Sequence, residues 1–158
     1  MKLTHLKNKK INMVDVSKKD VSERIAKARS IIKFNKESFL IIYNQGSEKG
    51  EIFNTARCAG ILAAKKTSEI IPLCHNINLN TIEIDFKFNE KKYLIEVYST
   101  VKTSTKTGVE MEALTAVAVA SLTVYDMCKA IDKSIEINDL KLLFKSGGKS
   151  GEYINDNV

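Results

Sequence analysis

One uninterrupted stretch limits what this chain can fold into. From Met111 to Lys133 (MEALTAVAVASLTVYDMCKAIDK) there is no Gly or Pro, and Ala113 to Tyr125 carries no charge. A helix that is apolar all round belongs inside a protein, and its small residues (Ala113, Ala116, Ala118, Ala120, Ser121) let a neighbouring backbone approach closely. The uncharged middle is shorter than the roughly 20 apolar residues of a membrane span, so a buried core helix is expected. Its charges gather at the ends: Glu110 and Glu112 at the start, Asp126, Lys129 and Lys133 near the finish. Asp126 opposes the dipole in the last turns. At 1.5 Å per residue, Glu112 and Asp126 stand roughly 21 Å apart along the axis, on one face but too far apart to act on one bond. If both ends serve one site, a second chain supplies one of them.

The remaining elements follow from periodicity. Residues 1–27 have no sustained period and are expected as an extended arm containing the apolar patch Met13–Val16; a strand is expected over Arg29–Phe34. Asn35 is placed to cap a helix over Lys36–Asn44, closed by Gly46. Residues 45–50 are expected as a loop, followed by a helix from Glu51 to Lys66 with a small-residue face at Ala56, Ala59, Gly60 and Ala63. The aperiodic run 70–76 holds the sole proline and delivers His75. Ile82, Ile84, Phe86 and Phe88 alternate with polar residues, and Tyr93, Ile95, Val97, Ser99 and Val101 return as the second arm of a hairpin. A last strand runs from Ile135 to Lys145, weakened at Asn138-Asp139, before a flexible tail over 146–158. This order predicts a single α+β domain over 1–158, ferredoxin-like, with a four-stranded antiparallel sheet and helices on one face. A partner chain could cover the other face.

Composition excludes little and suggests an anionic partner. The 25 Lys+Arg against 19 Asp+Glu give a net charge of +6, which favours nucleic acid or a phosphorylated metabolite. The three cysteines, Cys58, Cys74 and Cys128, are odd in number and widely spaced, so a reducing cytoplasm is the expected setting. No secretory leader or membrane association is expected. The tail sequence GGKSG is not a phosphate-binding P-loop, because Leu143 stands where that motif needs its first glycine; a Gly/Lys tail closing over an anion and plain disorder are the two readings left open. Cys and His spacing matches no metal site, and none is expected. His75 suits a general acid or base by its ordinary pKa and, equally, a structural role beside the core. An RNA-binding sheet would need outward aromatics, and Tyr98 is the one good candidate.

The segments MVDV (13–16), KGEIFNTARCAGILAAKKTSEIIPLCH (49–75), KTGVEMEALTAVAVASLTVYDMCKAID (106–132) and KSGGKSG (145–151) closely resemble the molybdenum cofactor biosynthesis protein C family, the cyclic pyranopterin monophosphate synthases. The resemblance implies a lyase. Its substrate is a cyclised GTP, 3′,8-cyclo-7,8-dihydroguanosine 5′-triphosphate, made by a radical SAM enzyme; its products are cyclic pyranopterin monophosphate and pyrophosphate. It implies a ferredoxin-like fold, a homohexamer built as a trimer of dimers with sites between subunits, and no cofactor. By motif match the catalytic group falls on Asp126, Lys49, Lys129 and His75, and substrate binding on Leu73, Cys74, His75, Glu110, Met111 and Glu112. Glu51 and Cys58 depart from the family's usual Asp and apolar residue, outside the proposed catalytic set. The alternative from a different class is a non-catalytic nucleotide- or RNA-binding module of the same fold.

Overall fold

In the computed structural model, residues 4–7, 9–44, 46–149 and 151–155 are described, with backbone alone at Lys7 and over 46–49. A small hairpin, β1 (Leu6–Lys7) and β2 (Lys10–Ile11), turns at Lys9, whose φ is 62°. Then come β3 (Ser22–Lys33), α1 (Lys36–Asn44), α2 (Gly46–Lys65), α3 (Thr67–Ile70), β4 (Thr81–Asn89), β5 (Leu94–Thr105), α4 (Glu110–Cys128), β6 (Glu136–Ser146) and β7 (Tyr153–Ile154). β4, β5, β3, β6 and β7 form one sheet in that spatial order, and every neighbouring pair is antiparallel. The α+β class with helices packed on one sheet face is therefore observed. The sheet has five strands where four were expected, because Tyr153–Ile154 of the tail pairs with Phe144 and Lys145 of β6.

The long strand β3 shows why its first half was missed. It starts at Ser22, seven residues before the expected Arg29, inside the stretch read as an arm. Its inward residues are Arg24, Ala26, Ala28, Ser30 and Ile32, all buried. Alanine and serine face inward because α4 lies close above them: Ser30 Oγ reaches the Val117 carbonyl at 3.5 Å and Ser121 Oγ at 2.5 Å. Small residues give little hydrophobic period, so the alternation was hidden. Asn138-Asp139 does weaken β6, where the pairing with β3 shifts register between Arg29 and Ile31 and Asp139 has φ 52°.

α4 is the core helix. Ala113, Ala116, Val117, Ala120 and Val124 are fully buried between the sheet and α2. By length and composition alone its 19 residues match a membrane span, but its burial against the sheet and α2 makes it the core helix expected from its uncharged middle. α2 crosses it at Gly60, where a Cβ would stand 2.8 Å from the Ala116 carbonyl oxygen and collide with Ile84. The two helices are antiparallel. Ser99, opposite Ile84 on the sheet, donates to the Ala113 carbonyl at 2.8 Å, while Phe53, earlier in α2, packs at a tilt on Phe86 and edge-to-face on Phe88 further along β4.

Two boundaries differ from expectation. The residues read as a loop over 46–50 open α2, so Gly46 begins a helix instead of ending one; Gln45 lies outside the described residues. α4 stops at Cys128, five residues short of Lys133, because the chain turns to bury Asp132. That carboxylate accepts from Ser38 Oγ at 2.7 Å, Asn35 N–H at 3.2 Å, and Ser134 N–H and Oγ at 2.8 and 2.6 Å. It thereby ties the end of α4 to the start of α1, where Asn35 caps Ser38 N–H at 2.9 Å as expected. These bonds hold the Asp132 carboxyl down at about 2 despite its burial.

Gly60→Ala should overpack the α2–α4 crossing and lower stability by about 1–3 kcal/mol, the usual cost of adding a methyl to a filled core. Chemical denaturation measures this, and a variant as stable as the parent would mean that the helices separate freely.

Candidate functional site

The N-terminal end of α4 lies between two adjoining cavities. The larger, about 610 Å³, is lined by Lys19, Asp20, Ser22, Arg24, Lys106, Gly108, Glu110, Lys145, Gly147, Gly148 and Lys149, among others. The smaller, about 330 Å³, is lined by Val14, Val16, Lys19, Leu73, Cys74, His75, Gly108, Glu110, Met111 and Glu112, with Thr4, His5 and Thr107. Lys19, Thr107, Gly108 and Glu110 border both.

The larger cavity forms where strand ends meet. Antiparallel pairing sets Ser22 beside Thr105 and Ile25 beside Ser146, which brings Arg24, Lys106 and Lys145 to one rim. Arg24 is only 8% exposed, and its Nε donates to the Thr105 carbonyl at 3.4 Å. The chain wraps its guanidinium through Gly147 and Gly148, at φ 98° and 74°; a Cβ on Gly148 would collide with Arg24. Glycine is needed there both for the left-handed backbone and for that close approach. Five cationic side chains line the cavity against two carboxylates, and Glu110 is already paired with Lys145 at 3.2 Å. A concave surface with that excess suits a polyphosphate.

The smaller cavity holds the acid–base groups. Glu112 is 4% exposed, and burial raises its carboxyl pKa to about 7, with Glu110 adding to the rise. Near neutrality it can therefore either give or take a proton. Burial and the charge of Glu112 also raise the Cys74 thiol, which disfavours thiolate chemistry. His75 Nε2 lies 2.8 Å from the Val14 carbonyl. A carbonyl only accepts, so Nε2 carries the hydrogen and Nδ1 is the nitrogen left to relay a proton. Glu110 folds back over Gly108, where a side chain would occupy the place of its carboxylate.

The residues expected to bind substrate, Leu73, Cys74, His75, Glu110, Met111 and Glu112, thus converge on one cavity. Asp126 and Lys129 do not join them. They are exposed at the other end of α4 and pair with each other at 2.6 Å, which raises the lysine pKa. Lys49 has its backbone in the first turns of α2, and its side chain lies outside the described residues. Because α2 and α4 are antiparallel, that backbone lies toward the Asp126 end. Sequence reasoning missed Lys19, Arg24, Lys106 and Lys145; the buried Arg24 in an otherwise Ala/Ser inward row was the one available signal. Among the described residues, no group of three or more His, Cys, Asp or Glu is arranged to hold a metal ion. Tyr98, the candidate for base stacking, lies on the outer sheet face under the Lys87 ammonium, 5.0 Å from the ring centroid.

A family model described as the MoaC family matches residues 13–148. The chain is 49% identical over 155 residues, 98% of it and 96% of the relative, to a protein of Bordetella petrii named cyclic pyranopterin monophosphate synthase. It is 48% identical over 159 residues, the whole of both chains, to the protein of that name from Peptoclostridium acidaminophilum. A Clostridium botulinum protein of the same name is 53% identical over 144 residues, 91% of each chain.

The raised Glu112 carboxyl carries a stability signature. Folded and unfolded forms both hold its proton well below the ordinary carboxyl value of 4.5, so no penalty applies there. Between about 4.5 and 7 only the unfolded form ionises, and stability falls as pH rises through that window. Glu112→Gln should remove this slope and gain roughly 2–3 kcal/mol at pH 8. Unfolding free energies across pH 4–8 test it; an unchanged slope would show that Glu112 is ionised throughout.

Proposed function

The chain belongs to the MoaC family, and from that premise we propose that it is a cyclic pyranopterin monophosphate synthase. It is a lyase of molybdenum cofactor biosynthesis. It converts (8S)-3′,8-cyclo-7,8-dihydroguanosine 5′-triphosphate, supplied by a radical SAM enzyme, to cyclic pyranopterin monophosphate and pyrophosphate. One observation supports this chemistry above others: a cation-lined cavity opens directly beside one lined by Glu112, Cys74 and His75 at the same helix end.

The division suits the reaction. Closing the cyclic phosphodiester attacks the α-phosphorus and expels pyrophosphate, whose charge Arg24, Lys106 and Lys145 can hold from fixed positions. Opening and rebuilding the purine ring system needs proton transfers at several atoms, for which a group near neutrality such as Glu112 is suited. Leu73, Cys74, His75, Glu110, Met111 and Glu112 bind the substrate in this reading, while Asp126, Lys49, Lys129 and His75 act on it. No cofactor is assigned.

Asp126 and Glu112 belong to opposite ends of α4, roughly 21 Å apart along its axis. A site between subunits resolves this, with one chain giving its Glu112 end and another its Asp126 end. We therefore read the protein as a homohexamer, a trimer of dimers; the exposed apolar residues Leu62, Ile70 and Leu122 on the helical side support association. The four long strands, whose order in space is second, third, first, fourth, support a ferredoxin-like fold for a single domain over 1–158. Three unpaired cysteines suit the cytoplasm.

Incubating the purified protein with the cyclic triphosphate should release pyrophosphate and the pterin product in equal amounts; binding without turnover would favour a non-catalytic nucleotide-binding module. Asp126→Ala should cut kcat by about 10²–10⁴, the usual contribution of a positioned acid or base, without altering the circular dichroism spectrum. An active variant removes Asp126 from the mechanism. Mixing inactive Glu112 and Asp126 variants should restore part of the activity through hybrid sites, and no recovery after verified subunit exchange would count against a shared site.

A further inference from the structure

Among the described residues, the N-terminal arm between β2 and β3 has no sheet partner, yet it walls both cavities. Val14 and Val16 are half-buried against the smaller one, and Lys19 borders both. The arm's own bonds are local: Asp15 accepts from Ser17 N–H at 2.9 Å, and Lys19 N–H donates to the Val16 carbonyl at 3.1 Å. Neither ties it to the body. Two side chains of the body do reach its main chain. His75 Nε2 donates to the Val14 carbonyl at 2.8 Å, and Lys106 Nζ donates to the Ser17 carbonyl at 2.8 Å. One anchor precedes the turn that delivers Lys19 and the other lies within it. An extended segment with otherwise local bonds loses substantial conformational entropy when held, so its order depends on such anchors.

We propose that His75 and Lys106 are positioning residues that pin the N-terminal arm across the two cavities and so keep Lys19 at the larger one. His75 then works through its Nε2–H bond to Val14, an action that needs no change of protonation. Lys106 turns one of its three N–H donors to Ser17 and can offer the others to an anion. The value of this to function rests on reading the larger cavity as the phosphate site.

Trypsin cleavage after Lys18 and Lys19 in the full chain reports the arm directly, since both residues are exposed. Inorganic pyrophosphate, followed by calorimetry, reports the cavity. His75→Ala should speed cleavage roughly tenfold, as the rate follows the open population, and should weaken pyrophosphate about fivefold. His75→Gln carries an N–H donor near the position of Nε2 but cannot relay a proton. It should return both readouts to within about threefold of the parent if the bond is what matters. An Ala variant cleaved at the parental rate overturns the proposal, as does a Gln variant as loose as the Ala variant. Should position 75 not tolerate alanine, Lys106→Met carries the same cleavage test, and parental cleavage there overturns it. A parent chain that does not bind pyrophosphate would refute the phosphate reading of the cavity, while the cleavage rates would still decide the anchoring.

Discussion

The close crossing of α2 over α4 governs the rest of the architecture. Gly60 allows α2 to lie on the Ala116–Ala120 ridge of α4, and Ala26, Ala28 and Ser30 allow α4 to lie close to the sheet. With both partners near, α4 cannot shift along its axis without meeting backbone on either side. Interiors packed this tightly transmit displacement instead of absorbing it. The position of Glu112 relative to Cys74 and His75 is therefore fixed by packing some distance from those groups, and the site inherits its precision from a row of small residues.

That dependence explains which parts of the molecule were legible in the sequence. The core helix, α1 with its Asn35 cap, and the β4–β5 hairpin each carry a local pattern that the structure repeats. The first half of β3 carries none, since alanine, serine and a buried arginine replace the branched residues that mark a strand. The opening of α2 was obscured by Gly46 and Gly50, which signal a break unless tertiary packing extends the helix through them. The early end of α4 lies in Asp132, whose partners Asn35 and Ser38 are nearly a hundred residues away.

The candidate site divides along the same line. Leu73 to His75 and Glu110 to Glu112 are two short segments, each recognisable by its own residues, and the structure brings them to one cavity. The cationic wall has no such local signature. Arg24, Lys106 and Lys145 sit on three separate strands or their ends and become neighbours only through antiparallel register. A lysine-rich surface gives no hint of which lysines converge. Gly147 and Gly148 pack against Glu23 and Arg24, and the reason for Gly148 appears once the guanidinium is seen against it.

α4 also fixes a relation of phase. Residues fourteen apart on a helix differ by about 40° around its axis, so the carboxylates of residues 112 and 126 leave from nearly the same side. One residue inserted or deleted between them would swing the far end by about 100° while changing the separation by only about 1.5 Å. Side chains along the exposed face, such as Leu122, can change without disturbing that relation. The number of residues in the helix cannot, and the length of α4 is thus a more stringent constraint on this chain than most of the amino acids that compose it.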